Sequence, residues 1–291
     1  ALYGRPDDPM RRQIDGVLTA DSEGVTRRIG SEPVVVSHGK DGEIRVLLNR
    51  CSHRANKLCN AEKGNANAFR CPYHGWTFRT ADGVCSAIPS LTAGQELDVS
   101  RIRVRRYPVR ESQGLAFVFV PEDPRFTGEP DGEPPSFPGV VGGRPKLVDS
   151  VVFDSHVDHA VVGLMDPAHG PYVHQQWWWR SSKKQLDKAK AFEPRELGFS
   201  MVRHDPSSNS RAYRILGGAP ETEISFLLPG YRWEHITVGS RQVLALTCLT
   251  PLDEKRTRVT QIFWSDHPLF ALLRPAVRLG ARRFLRQDGD R

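Results

Sequence analysis

Four side chains near the start of the chain carry the clearest chemistry. Cys51-Ser52-His53 and Cys71-Pro72-Tyr73-His74, separated by a spacer of seventeen residues, present two thiolates and two imidazoles in matched pairs. Two sulfur and two nitrogen ligands suit a tetrahedral zinc ion. They also suit a [2Fe-2S] cluster in which one iron takes both cysteines and the other both histidines. Each stretch supplies one ligand of each kind, whereas zinc fingers usually pair cysteine with cysteine and histidine with histidine, so the pattern favours the cluster. Neutral imidazoles on one iron raise the potential above that of an all-cysteine cluster, which makes such a group a relay for electrons rather than a place where substrate reacts.

A second constellation lies about a hundred residues further on. Asp166-Pro167-Ala168-His169-Gly170-Pro171-Tyr172-Val173-His174 reads D-x-x-H-x-x-x-x-H. In an unbroken helix two residues five apart point about 140° from each other, too far round to grip one ion. A break is therefore expected between the histidines, and Gly170-Pro171 supplies one, because glycine takes unusual dihedrals and proline disfavours helix in the residue before it. So redirected, His169 and His174 can converge on one metal and leave positions open.

These two motifs together, with Arg54 behind the first histidine and Pro72, Gly75 and Trp76 around the second, resemble the Rieske non-haem iron oxygenases. The D-P-A-H run is most similar to their monooxygenase and demethylase branch. The resemblance implies a Rieske [2Fe-2S] cluster on Cys51, His53, Cys71 and His74. It also implies a mononuclear Fe(II) on His169, His174 and an acid far downstream, for which Phe284-Leu285-Arg286-Gln287-Asp288 fits; Asp288 is the nominee, ahead of Asp290 and Asp266. By the same resemblance Asp166 is a catalytic bridge, linking the iron ligand His169 to the second cluster histidine, here His74, of a neighbouring subunit. It would fix both tautomers and shorten the electron path. A head-to-tail ring follows, with a homotrimer as the expected assembly; some members add a β subunit. The implied activity is that of a terminal oxygenase that hydroxylates or oxidatively demethylates an aromatic or other apolar small molecule. Its electrons would come from NAD(P)H through a ferredoxin or reductase. Cis-dihydroxylation is the alternative outcome, and a pure electron-transfer protein the alternative of another class. One departure is visible: Val162 and Gly163 stand where family members commonly carry an acid or amide.

The elements that must position these groups follow from pattern. With 291 residues the chain is long enough for two domains with their own cores. Short runs of period two, EPVVVS, EIRVLLNR, WTFRT, RIRVRRYPV and GLAFVFV, predict a small antiparallel β domain over residues 20–120 that holds the first motif between two loops. Residues 121–145, dense in proline, glycine and acid, read as a connection. Residues 146–291 read as an α+β catalytic domain. It opens on KLVDSVVF, continues through TEISFLL, YRWEHITV, RQVLALTCLT and TRVTQIFW with a turn at Pro251 to Lys255, and closes on a helix from Leu269 onward that Pro275 is expected to kink. A short helix is expected around Asp8 to Val17.

Composition bounds the rest. A net charge of +7 and a pI near 9.3 invite a nucleic-acid reading, but no aromatic-basic module is present. Solvated faces, with some charges steering an acidic electron donor, explain the basic residues. No run of about eighteen apolar residues and no signal-like start are seen, so a cytoplasmic, non-membrane protein is expected. Cys59, Cys85 and Cys248 read as reduced thiols. His156-x-x-His159 reads as a helix surface, His38, His204, His235 and His267 as ordinary polar residues. Of Trp177, Trp178 and Trp179, at least one is expected in a core or interface and another beside substrate.

Overall fold

In a computed structural model of the chain, the residues described are 24–29, 32–39, 41–61, 63–64, 66–121, 123, 125–139, 143–166, 168–174, 190–204 and 219–289. The expected helix around Asp8 to Val17, Trp177 to Trp179 and Asp290 lie outside them. The chain divides into two compact units, Ala1–Pro135 and Ser136–Arg291, so the division falls inside the proline-rich stretch read as a connection.

In the first unit, β1 (Gly24–Ile29), β2 (Glu32–His38) and β3 (Ile44–Leu48) form an antiparallel meander. It is extended at its edges by β4 (Lys63–Gly64) and β8 (Arg106–Tyr107), in the order β4-β1-β2-β3-β8. Strand alternation makes this sheet serve two cores. Val34, Val36 and Val46 point one way, against Ile29, Tyr107 and Val118, while Val35 and Leu47 point the other, against Cys51, Cys71, Phe69 and Phe78. Fully burying each such side chain contributes about 1.5–3 kcal/mol. A second small sheet, β5 (Ala68–Arg70), β6 (Thr77–Arg79) and β7 (Cys85–Ala87), adds Phe69, Phe78 and Cys85 to the core that holds the two cysteines. β9 (Val109–Ser112) and β10 (Leu115–Val118) pair as a hairpin.

The alternating run from Arg101 to Arg105 was expected as one strand, and the structure corrects this. Val99–Arg101 is a turn of 3-10 helix, Arg103 makes an isolated bridge with Val84, and β8 starts only at Arg106. The alternation of burial survives, with Val104 buried and Arg103 exposed. The ladder breaks because the segment changes partner: Cys85 N–H donates to Ile102 O (2.8 Å), whereas Leu48 N–H donates to Arg105 O (2.8 Å). One extended segment thus ties the two small sheets together.

The second unit is built on a seven-stranded antiparallel sheet. Its strands are β11 (Leu147–Phe153), β12 (Phe192–Arg195), β13 (Gly198–His204), β14 (Pro220–Leu227), β15 (Tyr231–Val238), β16 (Arg241–Asp253) and β17 (Arg256–Ser265), in the order β11-β17-β16-β15-β14-β13-β12. β16 runs through Pro251, with a register shift between Pro251 and Asp253, so the hairpin turn narrows to Glu254-Lys255, where Asp253 Oδ1 accepts the Lys255 N–H (3.0 Å). One face of the sheet is covered by α1 (Val157–Met165) and α3 (Leu269–Gly289). Leu147, Ala245 and Phe263 pack with Phe270 and Val277, and Phe153, Leu249 and Val259 pack with Ala160, Leu164 and Leu285. Two polar contacts pin α3 to β11: Arg282 Nη2 donates to Asp149 Oδ1 (2.8 Å) and Arg278 Nη2 to Val148 O (3.4 Å). Pro275 lies within α3, which continues beyond it to Gly289. Antiparallel sheets of both sizes with few helices make the molecule α+β.

Candidate metal centres

The first centre is formed by two loops that repeat each other. Cys51 N–H donates to Asn56 O (2.8 Å) and Ala55 N–H returns to Cys51 O (2.9 Å); Cys71 N–H donates to Trp76 O (2.8 Å) and Gly75 N–H returns to Cys71 O (2.9 Å). The residue four beyond each cysteine is left-handed, Ala55 at φ 55° and Gly75 at φ 72°. At Gly75 the demand for glycine is double, since a Cβ there would come within 2.9 Å of Pro89 Cγ. Buried Asn49, just ahead of the first loop, accepts the Leu58 and Cys59 N–H groups (3.1 and 2.8 Å) and donates to Cys59 O (2.8 Å), closing the far end of that loop onto β3. Sequence reading overlooked Asn49, although its place directly after an apolar strand and before a ligand loop is a visible signal.

This scaffold sorts the four ligands. Cys51 and Cys71 are buried, whereas His53 and His74 are exposed, their ring centroids 4.7 Å apart, with Trp76 stacked on His53 at 4.6 Å. Burial pushes the Cys51 thiol up. Burial acts on Cys71 too, but the N–H groups of Tyr73 and His74 and the Cys51 thiol outweigh it and bring Cys71 down, so the pair is set to lose its first proton at Cys71. Two sulfurs on the protein side and two imidazole edges on the solvent side form a donor set that fits a [2Fe-2S] cluster with one iron facing outward. All five cysteines are free thiols, with Cys59 and Cys85 packed around the same core.

The second centre joins three residues from two distant parts of the chain. α1 ends at Met165, and Asp166 adopts an extended conformation and accepts the Ala168 N–H on Oδ1 (2.7 Å). Here the expected helix break is corrected. It falls at Asp166, before His169, and Gly170-Pro171 instead begins a one-turn helix, α2 (Gly170–Val173). Proline's fixed φ suits a first helical turn, where its missing N–H is not needed. Tyr172 and Val173 N–H both reach His169 O (2.9 Å each), so His169 and His174 flank a single turn and their rings meet at a centroid distance of 5.3 Å. Asp288, near the end of α3, completes the group: its Oδ1 lies 3.2 Å from His174 Nε2 and 3.6 Å from His169 Nε2. Among the described residues these three are the one set of His, Cys, Asp or Glu side chains close enough to hold a single ion, with all ligand atoms within 4.8 Å of one another.

The hydrogen bonds at the rear of the imidazoles decide what that geometry means. His169 Nδ1 faces the carbonyl oxygen of Asp166 (2.7 Å), which only accepts, so Nδ1 carries the proton and Nε2 offers a lone pair. His174 Nδ1 faces Gln287 Oε1 (3.3 Å), which assigns the same tautomer. Two nitrogen lone pairs thus converge on a carboxylate. Burial sharpens the conflict: it lowers His174 to about 4, so this ring stays neutral, and it raises Asp288 to about 7 against the pull of Arg232. Asp288 Oδ2 is buried without a hydrogen-bond partner among the described residues. Lone pairs converging in a low-dielectric site are satisfied by a cation. Two histidines and one carboxylate are the donor set of a facial triad with open positions. Gln287 and Phe284, whose ring stacks on His174 at a centroid distance of 3.4 Å, position that imidazole. In the sequence both belong to the run that marks Asp288, and neither was given a role of its own.

The other sequence candidates take structural places. Asp266 Oδ1 accepts the Gln242 N–H (2.8 Å). His156 is the N-cap of α1.

Comparison with known proteins bears on both units. Residues 16–108 match the family model of the Rieske [2Fe-2S] domain. That stretch contains all four candidate cluster ligands, Cys51, His53, Cys71 and His74. Chlorophyllide a oxygenase of Oryza sativa subsp. japonica is 33% identical over 147 residues, covering 49% of this chain and 24% of that protein. The N,N-dimethyl phenylurea N-demethylase alpha subunit of Sphingobium sp. (strain YBL2) is 37% identical over 101 residues, covering 34% and 22%. The alignments thus span about a quarter of these curated relatives. The fold extends further: a quaternary ammonium Rieske monooxygenase superposes with a TM-score of 0.67 at 19% identity, over 96% of this chain and 76% of the other. NdmA of Pseudomonas putida CBB5, in a mutant with theobromine, gives 0.64 at 17%, over 94% and 78%. Rieske oxygenases therefore supply the architecture for both units of the chain, and no helix of the described residues is long and apolar enough to cross a membrane.

Proposed function

We propose that the chain is the terminal oxygenase component of a multicomponent Rieske system, acting by hydroxylation or oxidative demethylation on an aromatic or other apolar small molecule. The observation that carries this reading is the convergence of the His169 and His174 Nε2 lone pairs on Asp288, beside a family whose cluster delivers electrons. When bound, a mononuclear Fe(II) at these three residues would supply dioxygen activation, with electrons relayed from NAD(P)H by a ferredoxin or reductase through the [2Fe-2S] cluster.

The protein's own part is to orient and to exclude. The Asp166 carbonyl and Gln287 hold the two imidazoles in the tautomer that binds metal, and Phe284 covers the face of His174. Complete burial of His174 keeps water from that side of the site. Asp166 itself is exposed, with Oδ1 on its own turn, which supports a bridge from its carboxylate to a neighbouring subunit's His74 in a homotrimer. Exposed His53, Tyr73 and His74 form the edge that such a neighbouring subunit would cover.

Iron analysis tests the reading together with product detection by mass after incubation with a surrogate reductase, NADH and candidate substrates. About three irons per chain, falling to about two in a His169→Ala, His174→Ala variant that keeps its cluster spectrum, supports the oxygenase. About two irons in the parent chain would leave an electron carrier.

A further inference from the structure

The register of the large sheet aligns Phe199, Phe226, Arg232, Thr247, Gln261 and Asp149 in one row across β13, β14, β15, β16, β17 and β11. Residues directly opposite each other share a face. This row lies on the face of Phe153, Leu249 and Val259, with Thr247 and Gln261 two residues along their strands from Leu249 and Val259, which pack with α1 and Leu285, and so on the face covered by α3, the helix that carries Asp288. Among the described residues, buried side-chain atoms without a hydrogen-bond partner gather here: Arg232 Nε, Thr247 Oγ1, Gln261 Oε1 and Asp149 Oδ2 all belong to the row. Two others, Trp233 Nε1 and Thr250 Oγ1, fall on the opposite face by strand alternation. Random defects of packing would scatter; these line up.

The two ends of the row differ. Asp149 is engaged by α3 through Arg282. At the other end Phe226 is buried, with the Phe199 ring centroid 5.8 Å from its own, an apolar strip. Between them stands Arg232, its side chain 13% exposed, with Nη1 3.7 Å from Glu234 Oε2, too long for a hydrogen bond. It shares its sheet face with Ala245 and Leu249, which pack against α3, the helix that carries Asp288. A desolvated guanidinium nitrogen with no acceptor is destabilising unless a ligand supplies one. Nε belongs to the side-on edge with which guanidinium grips a carboxylate, and Thr247, whose Oγ1 is buried, is the residue directly opposite Arg232 in the row.

We infer that the substrate of this centre carries a carboxylate, held by Arg232 Nε and Thr247 Oγ1, with an apolar remainder against Phe226 and Phe199. This deepens the oxygenase reading by naming a substrate class and rests on it for the chemistry, but not for the binding. Calorimetric titration of the apo and the Co(II)-loaded chain with two pairs of probes tests it: benzoate against benzamide, and 3-phenylpropionate against 3-phenylpropanamide. In at least one pair the acid is expected to bind about tenfold or more tightly than the amide in both forms of the protein, since a charged partner strengthens each hydrogen bond. Arg232→Gln and, without a change of charge, Thr247→Val should each remove most of that preference while the Co(II) absorption spectrum stays unchanged. Equal affinities in both pairs, no binding of any probe, or a preference that survives both substitutions would overturn the inference. Failure of Co(II) to bind would count against the metal centre alone, because the apo titration measures the carboxylate site by itself.

Discussion

Replacing Asp288 by asparagine in the metal-free protein should stabilise it, and by an amount that depends on pH. The carboxyl of Asp288 is raised from its ordinary 3.8 to about 7 by burial, and its side chain is only 7% exposed, so solvent screening takes little from the effect. In the folded apo protein the group keeps its proton where the unfolded chain has released it. Stability is therefore intact below the unfolded value and is lost as pH rises toward the folded one. Over this interval, at ~1.4 kcal/mol per pH unit, the loss comes to about 4 kcal/mol. His174 acts with the opposite sign. Its folded value is lowered to about 4, so the folded chain binds fewer protons than the unfolded one between that value and the ordinary 6.5, and stability falls as pH falls through this window. The two slopes nearly cancel in the parent protein between pH 4 and 6.5. Only a difference between proteins exposes either one.

The carboxamide introduced by Asp288→Asn mimics the protonated carboxyl at every pH. Apo parent and variant should have similar stability at pH 4, and by pH 8 the variant should lead by about 4 kcal/mol, equivalent to a shift of ~2 M in urea midpoint for a unit of this size. Fluorescence of Trp233 and Trp264, both buried on the large sheet, follows the unit concerned, and its transition must be analysed apart from that of the first unit. Adding Co(II) or Fe(II) should reverse the order by stabilising the parent alone. Parallel pH profiles, with a constant difference between the two proteins, would refute the argument, because they would mean that Asp288 ionises in the folded chain as it does in water.

Metal uptake by the parent should weaken as pH falls below about 7, one proton being released per ion bound while His174 is already neutral; competition titration with a chromophoric chelator at pH 6 and pH 8 measures it. Gln287→Leu removes the partner of His174 Nδ1 and should lower metal affinity about 10- to 100-fold with the fold intact by circular dichroism. Gly75→Ala sets a Cβ at 2.9 Å from Pro89 Cγ on a left-handed backbone and should cost about 1–3 kcal/mol and reduce cluster incorporation, read from visible absorption, whereas Ala55→Gly in the matching position of the other loop should be tolerated. Asp166→Asn should leave both metals bound and slow product formation sharply; unimpaired turnover would remove Asp166 from the electron route.

How far these features could be read beforehand depends on how local their causes are. Cys51, His53, Cys71 and His74 were legible because each pair sits in one short loop whose geometry the loop itself determines. The period-two strands were legible for the same reason, and β11 appears where KLVDSVVF placed it. The segment from Arg101 to Arg105 kept its alternation but not its ladder, since its choice of partner depends on where two separate sheets lie. His169 and His174 were expected to converge, yet the position of the break was misplaced, because glycine and proline signal a helix start as readily as an end. Asp288 could be nominated only by resemblance: its approach to the histidines is set by Leu285 in the core and by Arg282 on Asp149, contacts across more than a hundred residues. The roles of Gln287, Phe284 and the Arg232 row lay beyond reach for that reason.

The two centres show opposite burial within their own units, and this bears on how electrons must move. In the first unit the sulfurs are enclosed and both imidazoles are exposed, so the side of the cluster that can exchange electrons is a surface. In the second unit His174 and Asp288 are enclosed, while His169 is partly accessible and Asp166 and Tyr172 beside it are exposed. Each centre therefore has one accessible edge, made of a histidine and its immediate neighbours, with protein behind it. Among these neighbours Asp166 is the acid, and the groups it would meet on a cluster edge are imidazoles able to donate to it. A carboxylate that accepts from a cluster histidine through its side chain, while its own backbone carbonyl accepts from His169 Nδ1, would connect the two metals through one residue. Moving that carboxylate by one methylene, as in Asp166→Glu, should therefore preserve charge and both metals yet slow reduction of the second centre in a stopped-flow experiment. Equal rates for the glutamate variant and the parent would mean that charge at this position suffices and the through-residue path is not used.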